Sequence, residues 1–307
     1  MLRSVIITAH NEGAELRRTV DSLLSAARDD IEVVIVDDGS ADGSAERLER
    51  DRVRVVRHTN RTGVAFSRDH GARLAGGQVL AFVDGHQRFS PGWLEACAHT
   101  ALRHRAIVWP DVGGFERRDL IGHGAAFHFS PKRNCFSARW KRLPPTRRVT
   151  RISSLKAPGY VMPRSVYERA RWIGELRGWG GTEAAISLKA FFLGVPLFHL
   201  CGPLARHRFN RSFSYDVTSQ EVWRNQALIA RVCFEERTWF EYWLPHVFAE
   251  RLQPAVSAEL DSDSVRDQQR EFERQKIRTD REFWTSLLKS SEPAVLRQTT
   301  NAKRCRA

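Results

Sequence analysis

A chain of 307 residues with 42% hydrophobic residues can bury one large core or two small ones, which excludes a protein that is disordered throughout. It has no apolar run of about 18 residues, and its first residues lack the regions of a secretory signal, so we expect no transmembrane segment and a cytoplasmic location. The formal net charge of +13 favours anionic partners: phosphates, acidic acceptors or a membrane surface contacted peripherally.

The positive charge is concentrated between Ser130 and Arg151, where eight Lys or Arg residues occur without an acidic one. An arginine bias on a solvated face would explain the same pattern, so charge alone does not decide the partner. The five cysteines are scattered and never form a Cys-x-x-Cys pair, which predicts ordinary thiols instead of disulfides or a thiolate metal site. They are Cys97, Cys135, Cys201, Cys233 and Cys305.

The N-terminal part alternates between short apolar runs and helical patterns. Ser4 to Ala9 is a β-branched run that ends in polar residues, Ala14 to Ala27 has helical apolar spacing, and Ile31 to Val36 is a second buried strand. The same alternation then predicts a helix over Ser44 to Arg50, a strand over Val53 to Arg57, a helix over Val64 to Ala75 and a strand over Gln78 to Val83. This order predicts an α/β fold with a mostly parallel central sheet and helices on both faces.

Polar side chains follow three of these strands where each strand ends. They are His10-Asn11-Glu12, Asp37-Asp38 and Asp84-Gly85-His86. Ligands of parallel sheets bind at the carboxyl ends of the strands, so these residues predict a binding site at that edge.

The pattern is weaker in the remainder of the chain. Asp111 to Leu155 reads as loops and irregular strands on the acceptor side of a site. The other predicted elements are helices over Trp93–His104, Ser165–Arg171 and Thr182–Leu193, and strands over Ala106–Pro110 and Pro196–Leu200. We predict a catalytic domain over residues 1–214, a helical region over 215–290 with helices at Ser219–Val247 and Val265–Leu288 and a linker at Pro254–Asp263, and a disordered tail over 291–307.

Asp84-Gly85-His86 is the first candidate metal-binding motif. A carboxylate and an imidazole two positions apart suit Mn²⁺ or a similar divalent ion, which could bridge two phosphate oxygens of a nucleotide sugar. A turn aspartate beside an unrelated histidine would give the same triplet.

The order of several motifs resembles glycosyltransferase family 2 and, more closely, the polypeptide N-acetylgalactosaminyltransferases, over roughly Ser4 to Asn210. The resemblance implies a GT-A type nucleotide-sugar-binding fold, here with a C-terminal helical appendage. The matching features are Thr8-Ala9-His10-Asn11-Glu12, Asp37-Asp38-Gly39-Ser40, Arg61-Thr62-Gly63 through Ser67-Arg68 to Gly71-Ala72, Asp84-x-His86 with Trp93-Leu94-Glu95, Trp179-Gly180-Gly181 with Ile186-Ser187, and Arg206-His207-Arg208-Phe209.

The resemblance also implies roles for individual residues. Asp84 and His86 would bind a divalent metal, Mn²⁺ or alternatively Mg²⁺, and His207 would complete the ligand set. Arg68 would approach the nucleotide or its phosphates, and Trp179 would form a wall of the sugar subsite. The residues implied for the uridine pocket are Thr8, His10, Glu12 and Asp38.

Glu183 is implied as the catalytic base that removes the acceptor proton while the metal and positive charge stabilise the departing diphosphate. A charge at the helix N-terminus is its alternative role. The peptide-directed relatives carry Glu-Asn after Trp-Gly-Gly, whereas this chain has Thr182-Glu183. This shift leaves open whether the anomeric centre is inverted, as in family 2, or retained. Ala157-Pro158-Gly159 also departs from the more glycine-rich turn of those relatives.

The resulting hypothesis is a metal-dependent transferase that moves a sugar from a UDP-sugar to a hydroxyl or thiol of a peptide, glycan or small molecule. A basic nucleic-acid-binding protein and a nucleotidyltransferase on a similar fold are the alternatives, although no nucleic acid partner is expected. A nucleotidyltransferase would need a Gly-rich, Arg-containing phosphate loop after the first strand, and the sequence has none there. A catalytically inactive sugar-nucleotide-binding relative is a further alternative.

Overall fold

The computed structural model describes residues 1–27, 30–116, 119–132, 135–209 and 216–297. Within these residues, one mixed sheet of ten strands has the order β10-β12-β6-β11-β4-β1-β2-β3, with β5 paired to β12 and β7 to β6, while β8 and β9 form a hairpin. The strands are β1 (Arg3–Ala9), β2 (Ile31–Asp37), β3 (Val53–Arg57), β4 (Val79–Asp84), β5 (Gln87–Phe89), β6 (Ile107–Gly114), β7 (Ile121–Gly122), β8 (Ala125–Phe129), β9 (Phe136–Trp140), β10 (Val149–Ile152), β11 (Tyr160–Pro163) and β12 (Leu197–His207).

The sheet has the predicted α/β character. β3, β2, β1 and β4 are mutually parallel, as are β6 and β12, and the antiparallel β11 lies between these two groups. Successive residues of β1 face opposite sides of the sheet, so Ile6 packs into one hydrophobic cluster while Val5 and Ile7 pack into the other. The predicted helices on both faces are confirmed. The helices are α1 (Ala14–Ala26), α2 (Val64–Leu74), α3 (Trp93–His104), α4 (Arg164–Ala170) and α5 (Thr182–Phe192).

The C-terminal part is helical but more segmented than predicted. α6 (Ser219–Cys233) ends at Phe234, whose backbone is extended. α7 (Glu236–Thr238) continues as a π-helix over Trp239–Phe248, and α10 (Asp280–Glu282) continues as a π-helix over Phe283–Leu287. The predicted linker is wrong, because Pro254 occupies the first turn of α8 (Pro254–Leu260), where its missing N–H costs nothing. α9 (Asp263–Gln275) ends at the extended Lys276.

Two further local predictions need correction. The predicted helix over Ser44 to Arg50 is wrong: the segment forms turns, because Arg47 has a left-handed backbone with φ of 58° that interrupts helical geometry. In the predicted disordered tail, residues 294–297 form a helical turn with Leu296 buried, and residues 298–307 lie outside the described part of the chain. Among the described helices, none is both long and apolar enough to span a bilayer.

The last core strand is longer than its apolar pattern predicted. β12 extends past Leu200 through an irregularity between Leu200 and Leu204, and then continues to His207. Its final residues are polar, so hydrophobic periodicity alone could not reveal them. This extension brings the C-terminal end of β12 beside β5.

Candidate active site

The sheet brings three candidate metal ligands together from two distant parts of the chain. Asp84 is the last residue of β4, and His86 immediately precedes β5. β5 pairs antiparallel to β12 with Gln87 opposite His207. The pairing therefore places His207 next to the Asp84-Gly85-His86 turn, although His207 follows Asp84 by 123 positions.

The distances fit a shared divalent ion. One ligand atom from each of Asp84, His86 and His207 lies within 4.8 Å of the others. His207 Nε2 is 3.4 Å from Asp84 Oδ2, and the two imidazole rings are 4.7 Å apart between centroids. His86 Nδ1 donates to Glu12 Oε2 at 2.8 Å, which orients the ring and leaves Nε2 for a metal. One carboxylate and two imidazoles are a donor set for a divalent first-row ion such as Mn²⁺.

The electrostatics of the cluster favour the metal-binding form of Asp84. Burial raises the pKa of Asp84, but the hydrogen bond with His207 and the charge of Arg68 together lower it below its ordinary value. Burial lowers the pKa of His207, which favours the neutral imidazole that binds metals. The pKa of His86 is raised, because its hydrogen bond and ion pair with Glu12 outweigh the opposing effect of burial.

Arg68 connects the metal-ligand cluster to Glu183. Its guanidinium is buried and donates to Asp84 Oδ1 at 3.1 Å, to Glu183 Oε1 at 2.7 Å and to the Tyr160 hydroxyl at 2.9 Å. Glu183 lies in the first turn of α5, after the left-handed Gly181. The sequence did not single out Tyr160, because its apolar neighbours in β11 make it look like an ordinary core residue.

The residues expected in the uridine pocket lie along the ends of β1 and β2. Asp38 is buried, and its Oδ1 accepts hydrogen bonds from His58 and from the Thr62 backbone and hydroxyl. Asp38 Oδ2 accepts one from the Gly63 N–H at 2.8 Å. Burial raises the pKa of Asp38, but these donors, His58 foremost, bring it below its ordinary value. His10 Nδ1 is 2.7 Å from the Asp38 carbonyl oxygen. Asp38 therefore also organises the loop that precedes α2.

Thr8 and Glu12, the two other residues expected in the uridine pocket, contact the metal-ligand cluster. The Thr8 hydroxyl is 3.5 Å from Asp84 Oδ1, and Glu12 holds His86 as described above. Both residues thus have a contact that supports the candidate metal centre, in addition to their position in the pocket.

The loop that carries Trp179 is fixed by close backbone contacts. Gly63 and Gly178 form a bridge, and a side chain at Gly63 would place its Cβ 2.3 Å from the Gly178 nitrogen. From α6, Glu221 accepts the Trp179 N–H at 2.9 Å, and the Asn225 amide donates to carbonyl groups of residues 177, 179 and 180. A helix of the predicted appendage therefore shapes the site.

A single cleft of about 670 Å³ joins the candidate metal ligands to the other residues that the sequence predicted for the site. Every site residue proposed from the sequence lines it: Thr8, His10, Glu12, Asp38, Arg68, Asp84, His86, Trp179, Glu183 and His207. Three cationic residues to which the sequence assigned no role, Arg61, Lys156 and Arg208, also line the cleft. Arg61 and Arg208 belong to motifs that carry the resemblance, and Lys156 directly precedes Ala157-Pro158. Positive charge here favours a phosphate-containing ligand.

Comparison with known proteins identifies the class. The family model "Glycosyl transferase family 2" matches residues 4–170, which is more than half of the chain, so the protein belongs to glycosyltransferase family 2.

Among curated proteins, the chain is 28% identical over 259 residues to polypeptide N-acetylgalactosaminyltransferase 3 of Mus musculus, covering 76% of this chain and 41% of that protein. It is 27% identical over 285 residues to polypeptide N-acetylgalactosaminyltransferase 6 of Homo sapiens, covering 84% and 45%. The chain thus spans less than half the length of these two relatives.

Solved structures share the fold. GalNAc-T7 with UDP, GalNAc and Mn²⁺ aligns with a TM-score of 0.72 at 22% identity, covering 94% of this chain and 57% of that one. TarS 1–349 of S. aureus in complex with UDP-GlcNAc aligns with a TM-score of 0.54 at 16% identity, covering 89% and 79%. The predicted fold class is confirmed.

Proposed function

We propose that this protein transfers a sugar from a UDP-sugar to a hydroxyl or thiol acceptor on a peptide, glycan or small molecule, in a reaction that depends on a divalent metal. The observation that carries the proposal is the convergence of Asp84, His86 and His207 in one cleft with Glu183. The family match favours this function over the nucleic-acid-binding and nucleotidyltransferase alternatives. The UDP and Mn²⁺ bound to GalNAc-T7 support the donor class and the metal.

Asp84, His86 and His207 would hold the ion, for which we propose Mn²⁺, with Mg²⁺ as the alternative. When bound, a divalent ion neutralises charge on the donor diphosphate and so makes it a better leaving group. Glu12 orients His86 through Nδ1, and the hydrogen bond with His207 together with the charge of Arg68 keeps the Asp84 carboxylate ionised. The protein residues therefore provide a prearranged set of ligands at the diphosphate end of the donor.

The donor would lie along the ends of β1 and β2. We assign Thr8, His10 and Asp38 to the uridine pocket, where Asp38 Oδ2 retains a lone pair for the base or ribose. The cationic groups of Arg61 and Arg208 would attract the diphosphate. Trp179 would cover the sugar.

Glu183 is the proposed base for the acceptor proton. Its carboxylate lines the same cleft as the candidate metal ligands and accepts a hydrogen bond from Arg68 through Oε1. Phe136, Ala138 and Leu155 also line the cleft, and all three belong to the segment expected on the acceptor side. The acceptor would enter along these apolar residues and reach Glu183. The described cysteines are free thiols, in keeping with the cytoplasmic location expected from the sequence.

Thermal unfolding with nucleotide sugars tests the proposal directly. A ligand at one hundred times its Kd stabilises the folded state by about 2.7 kcal/mol, which raises Tm by several degrees. We expect UDP-sugars to raise Tm in the presence of Mn²⁺ and to lose this effect with a chelator or in Asp84→Asn. His99→Ala, which changes an exposed histidine, should behave as the unchanged protein. Indifference to every UDP-sugar with Mn²⁺ present would overturn the proposal.

A further inference from the structure

A second group of metal-binding side chains lies outside the cleft. One ligand atom from each of Asp111, His123 and Cys201 lies within 4.8 Å of the others. His123 Nδ1 is 2.6 Å from Asp111 Oδ1, and the fully buried His199 places its Nε2 2.8 Å from the same oxygen. None of these four residues lines the active-site cleft.

Three separate segments of backbone build this group. Asp111 belongs to β6, His123 follows β7, and Cys201 lies in the irregular stretch of β12 between Leu200 and Leu204. Gly202 in that stretch has a φ of 114°, a conformation that L side chains rarely adopt, and its N–H donates to Asp111 Oδ2 at 2.8 Å. The strand irregularity thus turns Cys201 towards the carboxylate of the neighbouring strand.

The donor set differs chemically from that of the active site. It offers a thiolate, an imidazole and a carboxylate, which together suit a borderline-soft ion such as Zn²⁺ better than Mn²⁺ or Mg²⁺. The Asp111 carboxylate is buried, and it is held in place by hydrogen bonds with His123, His199 and the Gly202 N–H.

We propose that Asp111, His123 and Cys201 form a Zn²⁺ site distinct from the catalytic metal centre. His199 is a positioning residue, because it holds the Asp111 carboxylate through Nε2 instead of contributing to the mutually close set. Binding would release the proton of the Cys201 thiol to solvent. Cys201 and His123 are both of intermediate exposure, which gives the ion a route to the buried Asp111 carboxylate.

The role of this ion is structural and concerns the strand that ends at His207. Asp111 pairs with Leu204 on β12, and three residues further His207 pairs with Gly114. Cys201 and His207 are six positions apart, which is at most ~20 Å at ~3.3 Å per residue. A Zn²⁺ ion that bridges β6 and the irregular stretch of β12 would therefore fix the register that delivers His207 to the active site.

Cobalt substitution tests the thiolate ligand. Co²⁺ bound by a thiolate gives a charge-transfer band in the near ultraviolet, which a carboxylate and imidazole site does not produce. The test uses the full chain carrying His207→Ala, so that the active-site group lacks a ligand. In this chain, an added Cys305→Ser change is the control and should leave the band in place. An added Cys201→Ser change should abolish the band completely. Absence of the band with Cys201 intact, or its persistence in Cys201→Ser, would overturn the proposal.

Zinc-dependent stability provides the second measurement. The two variants are again Cys201→Ser and Cys305→Ser in the chain carrying His207→Ala. Without metal, circular dichroism should show both variants folded, since Cys201→Ser replaces a partly exposed thiol. Added Zn²⁺ should raise Tm for the Cys305→Ser chain and leave the Cys201→Ser chain unchanged. An equal rise in both chains, or a rise in neither, contradicts a site at Cys201. A rise in neither chain would mean that Asp111, His123, His199 and Cys201 form only a hydrogen-bonded cluster.

Discussion

Arg68 is the residue on which the geometry of the site depends most. One buried guanidinium holds both the Asp84 carboxylate and the Glu183 carboxylate, so the candidate metal ligand and the candidate base share one support. A buried arginine is costly unless it is paired, and here two carboxylates and the Tyr160 hydroxyl supply partners. Arg68 was expected to approach the nucleotide or its phosphates. That role stays a prediction, beside the supporting contacts described here.

Glu183→Gln tests the proposed base at the residue scale. Glutamine retains an oxygen that can accept from Arg68 but cannot take the acceptor proton at neutral pH. We expect kcat to fall about 10²- to 10⁴-fold, the usual contribution of a general base, while the Kd for UDP stays the same. UDP release and calorimetric titration would measure the two quantities. Glu168→Gln, at an exposed glutamate, is the control, and unchanged turnover in Glu183→Gln would assign Glu183 to the helix N-terminus alone.

At the scale of elements, α6 supports the loop that carries Trp179. The Asn225 side chain accepts the Arg177 N–H and donates to three carbonyl groups of the same loop. Because the Asn225 side chain is buried, its removal would leave backbone groups without partners.

We therefore expect Asn225→Ala to lower the free energy of unfolding by about 1–3 kcal/mol and to weaken binding of UDP-sugars more than binding of UDP. Chemical denaturation and calorimetry would check both effects. Gln275→Ala removes an exposed amide and should change neither quantity. Equal losses of affinity for UDP and UDP-sugars would show that the loop does not contact the sugar.

Asp69 joins α2 to α4. Its carboxylate accepts hydrogen bonds from the Tyr167 hydroxyl and from Arg171. Burial raises the pKa of Asp69, but Arg171 and Tyr167 bring it below its ordinary value of 3.8. Since the folded state favours the ionised form, this contribution to stability is present above pH ~4 and is lost as the pH falls through the lowered value.

Asp69→Asn should lower the free energy of unfolding at pH 7 by about 1–3 kcal/mol, because Arg171 loses a charged partner. The difference from the unchanged protein should shrink as the pH falls below ~4 and through the lowered pKa of Asp69, at which the folded protein takes up the proton. Urea denaturation across pH measures this dependence, with Asp51→Asn at an exposed carboxylate as control. A pH-independent difference would mean that the effect is steric.

Sequence periodicity was sufficient for the elements whose apolar residues face the core. β3 and α3 have the predicted bounds, and β1 begins one residue earlier than expected. Periodicity failed where backbone geometry or polar residues determine the bounds of an element, as in the turn containing Arg47 and the polar end of β12. The ten site residues were found through motifs, and they share one cleft.

Contacts across the fold were not predictable in the same way. Tyr160 and Asn225 act through partners that no local pattern identifies. The Asp111, His123 and Cys201 group was missed for the same reason, because its members are far apart in sequence and approach one another only through strand pairing.

At the scale of the whole molecule, the described C-terminal helices share a hydrophobic cluster with one face of the sheet. The cluster extends from Ile6 and Phe82 in the strands through Phe192 in α5 to Trp243 and Phe283 in the π-helices. The division into a catalytic domain and a helical region stays a prediction, but its two parts have no separate cores on this face.

We expect a single cooperative unfolding transition in the full chain. Separation of the C-terminal helices from the sheet would expose the hydrophobic cluster that they share. Neither the helices nor the sheet should therefore remain folded alone. Circular dichroism and tryptophan fluorescence should give coincident curves. Two resolved transitions would show that residues beyond 215 fold independently.

We propose that one ion joins Asp84, His86 and His207 to the donor diphosphate. Crystals grown with UDP and Mn²⁺, measured at the manganese absorption edge, would locate the ion by its anomalous signal. We expect a peak within bonding distance of all three side chains and of phosphate oxygens. UDP bound in the cleft with no peak there, or with His207 outside the coordination sphere, would contradict it.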